Sequence, residues 1–411
     1  MSHRVGRARA TVALFLLLLA ALILALPGPA AAQENGPSNP PGAPEVDAEA
    51  WAVFDRETGT YLAGKDPDQR LPVASTTKVM VALVALEDGA ELDEEVTVSE
   101  DAASYAGGVY SAAGLFPYDT VSVRELLEAT LVPSGTDAVY ALAEHLGGGS
   151  VEEFVGMMNA KAEEMNLENT RFENPAGLDN RGHYSSVRDL ARITREAMEY
   201  PEFREIVGEV QITVTTQDRE IPLDTTNLLI APNSGYDYGA ATGVKTGTSP
   251  EAGPSLISSA QNGEESYVAV VLGASDDLYR YEASQQVLEY AFGDFGERAF
   301  VEADDRFKEL QLPYRREESV RLVAERDVSG FGGPGLEVER RVEAPEDAPP
   351  SARAGREVGS VEVFVDGRSV GTSPLVTARG YEEAGLGQKV RHLASGAAGG
   401  VYDWVMETAS G

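Results

Sequence analysis

Ser75 and Lys78 stand three residues apart in "LPVASTTKVMVALVALEDG", where a small-residue turn gives way to an apolar run. Residues i and i+3 share a helix face, so the hydroxyl and the amine can meet. A free serine is a poor nucleophile and needs an adjacent base. A free lysine, with an ordinary pKa of about 10.4, is protonated at neutral pH. Burial or a second cation lowers that value. A helix start adds backbone N–H groups and a partial positive charge, which favour an anion. The chemistry on offer is acyl transfer, with lysine as the base. Ser-x-x-Lys alone is a weak signal, since Ser75 is also a good N-cap and Lys78 can be solvated.

Two further segments strengthen the reading. "VPSGTDAVYAL" places Ser134 on a Pro-Ser-Gly turn directly before an apolar helix. "GVKTGTSPEAGPSLISSA" places Lys245, Thr246 and Gly247 in a strand-like stretch rich in small residues. Other chemistries have less support. The four histidines are His3, His145, His183 and His392. His145, at a helix end, and His183, in a turn, both read as structural. No His-Glu-x-x-His and no phosphate-loop motif occurs, so no metal site and no cofactor are expected.

These residues need elements to hold them. "AWAVFD" and "YLAG" alternate around the turn "RETGT", which signals a hairpin. Val79 to Glu87 is apolar on all sides and reads as a core helix. Ser122 with Glu125 has the capping-box pattern, and further helices are expected over 137–146, 151–165 and from Ser186. "VQITVTT" and "SYVAVVLGAS" read as strands, and "SQQVLEYAFGDF" as a closing helix. The expected fold is an α/β (α+β) domain over 48–297, a mainly antiparallel sheet flanked by helices. A small all-β domain over 298–380 follows, with an Asp-Gly hairpin turn in "VDGRSV".

The chain has 411 residues, with a net charge of −34 and no cysteine. Disulfides, thiol catalysis and thiolate metal sites are excluded. The acidic balance argues against nucleic acid as a partner. Arg4, Arg7 and Arg9 precede an apolar run and "PGPAAAQ", the layout of a secretory signal over 1–32. Residues 33–47 are a Pro/Gly/Asn-rich linker. The tail over 381–411 carries basic residues and Trp404, which suggests a surface helix and weak membrane contact.

The segments "PVASTTKVM", "LLEATLVPSGTDAVYALAEHLGG", "FVGMMNAKAEEMNLENTRFENPAGLD", "GHYSSVRDLARI" and "GVKTGTS", in this order, resemble the D-alanyl-D-alanine carboxypeptidases, the low-molecular-mass penicillin-binding proteins. The resemblance covers about Ala48 to Gly296 strongly. "GSVEVFVDGRSVGTSPLV" is similar to that family's C-terminal β domain. It implies a secreted serine carboxypeptidase that removes the terminal D-alanine from peptidoglycan stem peptides and is acylated by β-lactams. By the same resemblance Ser75 is the acylated serine, Lys78 its base, and Ser134 a proton relay. Lys245 and Thr246 bind the substrate carboxylate, and the N–H groups of Ser75 and Thr248 form the oxyanion hole.

Two positions depart from the family pattern. The second motif is usually Ser-x-Asn, and here it is Ser134-Gly135-Thr136, so Thr136 takes over the substrate contact with a shorter hydroxyl. Pro254 stands where an aromatic residue is frequent. Two alternatives follow. One is a catalytically weak wall-binding relative. The other is a β-lactamase, for which Glu173 and Asp179 are the candidate deacylating carboxylates.

Overall fold

The computed structural model describes residues 39–394, apart from residues 109, 316 and 317. The expected signal segment, the first half of the linker and Trp404 lie outside the described residues.

The N-terminal hairpin pairs β1 (Ala48–Asp55) with β2 (Tyr61–Lys65). A 3-10 turn, Ala74–Thr77, then leads into α1 (Lys78–Glu87). Eight of its residues, Lys78 to Ala85, are buried, as expected of a helix that is apolar all round. The short pair β3 (Glu95–Thr97) and β4 (Thr120–Ser122) brackets α2 (Glu100–Ala103).

Four helices dominate the next stretch: α3 (Val123–Leu131), α4 (Thr136–Leu146), α5 (Val151–Glu164) and α6 (Val187–Ala197). Ser122 and Glu125 form the expected reciprocal cap of α3. Ser186 caps α6 by accepting from the Asp189 N–H. The short α7 (Pro201–Val207) starts on a proline, whose fixed φ suits a first helical position.

A second hairpin, β5 (Gln211–Thr215) and β6 (Glu220–Asp224), precedes β7 (Ala241–Gly247), β8 (Ser255–Asn262) and β9 (Glu265–Ala274). The helix α8 (Tyr279–Asp294) closes this part. The main sheet runs β2-β1-β9-β8-β7, antiparallel throughout, so the N-terminal hairpin completes one edge and β7 forms the other. One face packs on the helices from α1 to α7, around Met80, Leu126 and Phe203. Its other face, with Trp51 and Tyr267, is covered by α8. Burial on both faces is why β9 lacks alternation.

The remaining strands are β10 (Gly296–Val301), β11 (Arg306–Gln311), β12 (Ser319–Ala324), β13 (Val328–Gly332), β14 (Val338–Glu343), β15 (Glu357–Val365) and β16 (Arg368–Thr377). They form a sheet in the order β11-β12-β16-β15-β14 and a β10–β13 pair. Asp366 and Gly367 have φ of +46° and +75° and join β15 to β16, the two positive φ values that a tight hairpin turn requires. Leu322, Val361, Val363 and Leu375 make a separate core, into which Tyr381 also packs. Residues 386–394 are helical.

Candidate active site

Ser75 is not a helix cap. It lies within the 3-10 turn, whose N-cap position is Val73. With three residues per turn, 3-10 geometry lines up positions i and i+3. Lys78 Nζ donates to Ser75 Oγ at 2.9 Å and to the Ala176 carbonyl at 3.3 Å. The Lys78 side chain is completely buried, and burial pulls its pKa down to about 7 against the opposing pull of Asp137. Asp137 is itself pinned. Its oxygens accept from the Ala113 N–H at 2.8 Å and the Leu115 N–H at 2.9 Å.

The backbone around the hydroxyls is strained. Ala74, just before Ser75, has a φ of +47°, and Ser134 has +68°. A left-handed conformation costs a residue with a Cβ roughly 1–2 kcal/mol, and such residues concentrate at functional sites. Ser134 is buried on the turn leading to Thr136, whose N–H donates to Ser111 O at 2.8 Å.

β7 brings the third segment. A Cβ at Gly247 would lie 3.0 Å from Val73 O and 3.2 Å from Ser75 N, so glycine lets the strand end abut the Ser75 amide. Lys245 is buried, and Nζ donates to the Thr246 carbonyl at 3.1 Å. Burial, then the Lys78 and Arg280 charges, hold its amine well below its ordinary value. Thr246 Oγ1 shares a 2.6 Å hydrogen bond with Thr226 Oγ1.

Ser75, Tyr110, Thr136, Leu178 and Thr248 line one cavity of about 760 Å³. Lys78, Ser134, Lys245 and Thr246 are buried behind it. A larger, shallow depression of about 1060 Å³ around Arg353, Arg356 and Tyr381 offers no nucleophile–base pair. The cavity therefore joins three segments that lie far apart in sequence. A serine–lysine pair in it can take up a carbonyl group, and the cationic surroundings favour an anionic end.

The motifs gave no sign of Arg280, on the first turn of α8. Nη1 donates to Thr248 Oγ1 at 2.7 Å and to Gly247 O at 3.2 Å, while the buried Nε has no partner among the described residues. Nη1 also lies 3.7 Å from Asp277 Oδ1, so this is a cation pinned beside Thr248, and its charge favours a carboxylate there. No local pattern marks it.

His183 is structural, as expected, and its place explains why. Its Nδ1 accepts from the Glu173 N–H at 3.1 Å, so the proton is on Nε2, which donates to Thr77 Oγ1 at 2.8 Å. Burial pulls its pKa down to about 4. The ring thus ties the loop carrying Ala176 and Gly177 to the Ser75 turn. Gly177 has a φ of +79°, and a Cβ there would fall 1.7 Å from Ala74 O. Glu173 is paired with Arg171 at 2.8 Å, and Asp179 accepts from Ser249 Oγ at 2.5 Å and the Glu251 N–H at 3.2 Å.

The profile of the D-alanyl-D-alanine carboxypeptidase family matches residues 36–276, and that of the C-terminal domain of penicillin-binding protein 5 matches residues 295–383. The D-alanyl-D-alanine carboxypeptidase DacF of Bacillus subtilis is 31% identical over 378 residues, 90% of this chain and 94% of that protein. DacC of Escherichia coli is 32% identical over 358 residues, 84% and 86% of the two chains. The crystal structure of penicillin-binding protein 5 from Haemophilus influenzae has 30% identity and a TM-score of 0.60, and the match covers 83% of this chain and 99% of that one.

Proposed function

Because the chain belongs to the D-alanyl-D-alanine carboxypeptidase family, it is a serine-type D-Ala-D-Ala carboxypeptidase, and we propose that its reaction runs through a Ser75 acyl-enzyme. Peptidoglycan stem peptides are its substrate class, and β-lactams bind the same site. The observation that carries the proposal is the 2.9 Å contact between Ser75 Oγ and a buried Lys78 amine whose pKa lies at about 7.

Ser75 Oγ attacks the carbonyl carbon of the penultimate D-alanine and gives its proton to Lys78 Nζ. The oxyanion sits against the N–H groups of Ser75 and Thr248. The carbon–nitrogen bond breaks, and Lys78 returns the proton through Ser134 to the leaving amine. Water then hydrolyses the ester and restores Ser75. Lys245, Thr246 and Arg280 hold the terminal carboxylate, and Thr136 contacts the peptide backbone.

Residues 1–32 act as a cleaved signal and 33–47 as a linker, and the enzyme works outside the cytoplasm on wall biogenesis and cell shape. We take 48–297 as the catalytic domain and 298–380 as the β domain. The tail touches the membrane weakly. In support, Leu386, Val390 and Leu393 share one face of the helical segment and are 84%, 64% and 64% exposed. Among the described residues no helix is long and apolar enough to cross a membrane.

Intact mass after brief exposure to benzylpenicillin tests the mechanism. A stable adduct is expected on the wild-type protein and none on Ser75→Ala. Persistent labelling of that variant would overturn the assignment of the nucleophile.

A further inference from the structure

A second cavity, of about 190 Å³, shares no lining residue with the Ser75 cleft. It lies between the β1–β2 turn, α6 and the start of β16. Five arginines line it: Arg56, Arg188, Arg192, Arg195 and Arg368. Positions 188, 192 and 195 fall on one face of α6. This concentration stands out in a chain of net charge −34.

The charges are only partly balanced. Arg56 pairs with Glu57 at 2.7 Å and Arg188 with Asp68 at 2.6 Å. The buried Asp55 carboxylate accepts from the Thr58 N–H and hydroxyl instead. The other three guanidiniums rest on neutral carbonyls. Arg195 donates to the carbonyls of Arg56 and Glu57, Arg192 to those of Met165 and Asn166, and Arg368 to Thr58 O at 2.8 Å. Among the described residues none of these three has a salt bridge. Two carboxylates feel these arginines: Glu57, 61% exposed on its side chain, feels Arg195, and the buried Asp189 feels Arg192.

We propose that this cleft binds a phosphate group, either free phosphate or the phosphodiester of a polyol-phosphate chain. Cations approach from three elements rather than one plane. That suits a tetrahedral anion with several acceptor oxygens better than a planar carboxylate, which one guanidinium fork satisfies. Phe54, Ala191 and Val268 give the cavity an apolar wall for a short carbon segment. The volume is below the ~300–1,000 Å³ usual for drug-sized ligands, so the occupant is a fragment of that size or one unit of a chain. Arg368 comes from β16 and reaches the β1–β2 turn, so the ligand would be held by both the sheet domain and the β domain.

Isothermal titration of the full-length protein at low salt tests this, with inorganic phosphate in one arm and a soluble glycerol-phosphate oligomer in the other. Saturable one-to-one binding that weakens as salt rises is expected. Arg368→Gln, on an exposed hairpin, should weaken it about tenfold, the loss of one charge-assisted contact. Arg192→Gln serves as a second variant, with folding checked by circular dichroism. Penicillin acylation should stay at the wild-type rate in both. Tighter binding of the oligomer per phosphate assigns the site to a polyol phosphodiester, and equal binding assigns it to free phosphate. No heat with either ligand at tens of millimolar, or wild-type affinity in both folded variants, would overturn the proposal.

Discussion

The catalytic part and the β domain bury very different things. Before Gly296 the interior holds Asp55, Lys78, Asp137, Lys161, His183, Asp189 and Lys245. From Gly296 onward the only buried polar residues among those described are Ser373 and Thr377. Backbone strain does not divide in this way: residues with a Cβ and positive φ occur in both parts, at Ala74 and Ser134 beside the nucleophile and at Asp304, Tyr314 and Asp366 in the β domain. Burying an ionisable group costs several kcal/mol unless it is paired. A fold accepts that cost where a shifted pKa is useful, and the β domain shows how the same chain is built when no chemistry is asked of it.

The sharpest way to break this contrast is to remove a buried charge. Lys78→Met keeps the volume and deletes the base, and kcat/KM for a D-Ala-D-Ala peptide should fall on the order of 10²–10⁴-fold. In the wild type the same group should set the acid limb. Lys78 is neutral above its pKa of about 7, so kcat/KM should fall about tenfold per pH unit below it. A flat profile from pH 5 to 8 would remove Lys78 as the base.

His183 comes next. Its pKa is lowered from 6.5 to about 4, so between those values the unfolded chain binds the proton and the folded one does not. Stability should therefore drop as pH falls from about 6.5 to about 4, by on the order of 3 kcal/mol, and level off below. Denaturant melts across that range should show a shallower slope for His183→Gln; an unchanged slope would mean that the ring titrates normally.

Thr136→Asn supplies the amide that the second motif lacks and should raise kcat/KM about tenfold, the worth of one added hydrogen bond in the transition state. No change would show that the threonine hydroxyl already suffices. The smallest effect on turnover belongs to the β domain. Val363→Ala opens its core at a fully buried position and should cost roughly 1–3 kcal/mol in its unfolding, with penicillin acylation unaltered. A parallel loss of acylation would erase the distinction between the two regions.

Legibility follows the same line between local and distant. Ser75 and Lys78 could be paired from spacing because one turn of backbone joins them, although the turn is 3-10 and not the helix start expected. The capping box at Ser122 and the Asp-Gly turn at 366 were legible for the same reason. Arg280 was not, because it meets Thr248 only through the packing of α8 on the sheet. Nor was Asp137, whose partners at positions 113 and 115 lie in a loop without periodicity. His183 read as structural, but its hold on Thr77, 106 positions away, is made only by the folding of two distant loops together. The short pair β3–β4 and the strand β6 carry too few apolar residues to announce themselves, whereas β5 was legible in "VQITVTT".

β7 is the last strand of its sheet, and an unpaired edge strand invites another chain to add to it. Here the approach to that edge passes the Ala74–Ser75 turn abutting Gly247. A strand added to the β7 edge would come to lie beside the Ser75 turn, so self-association by that route would compete with substrate for the same cleft.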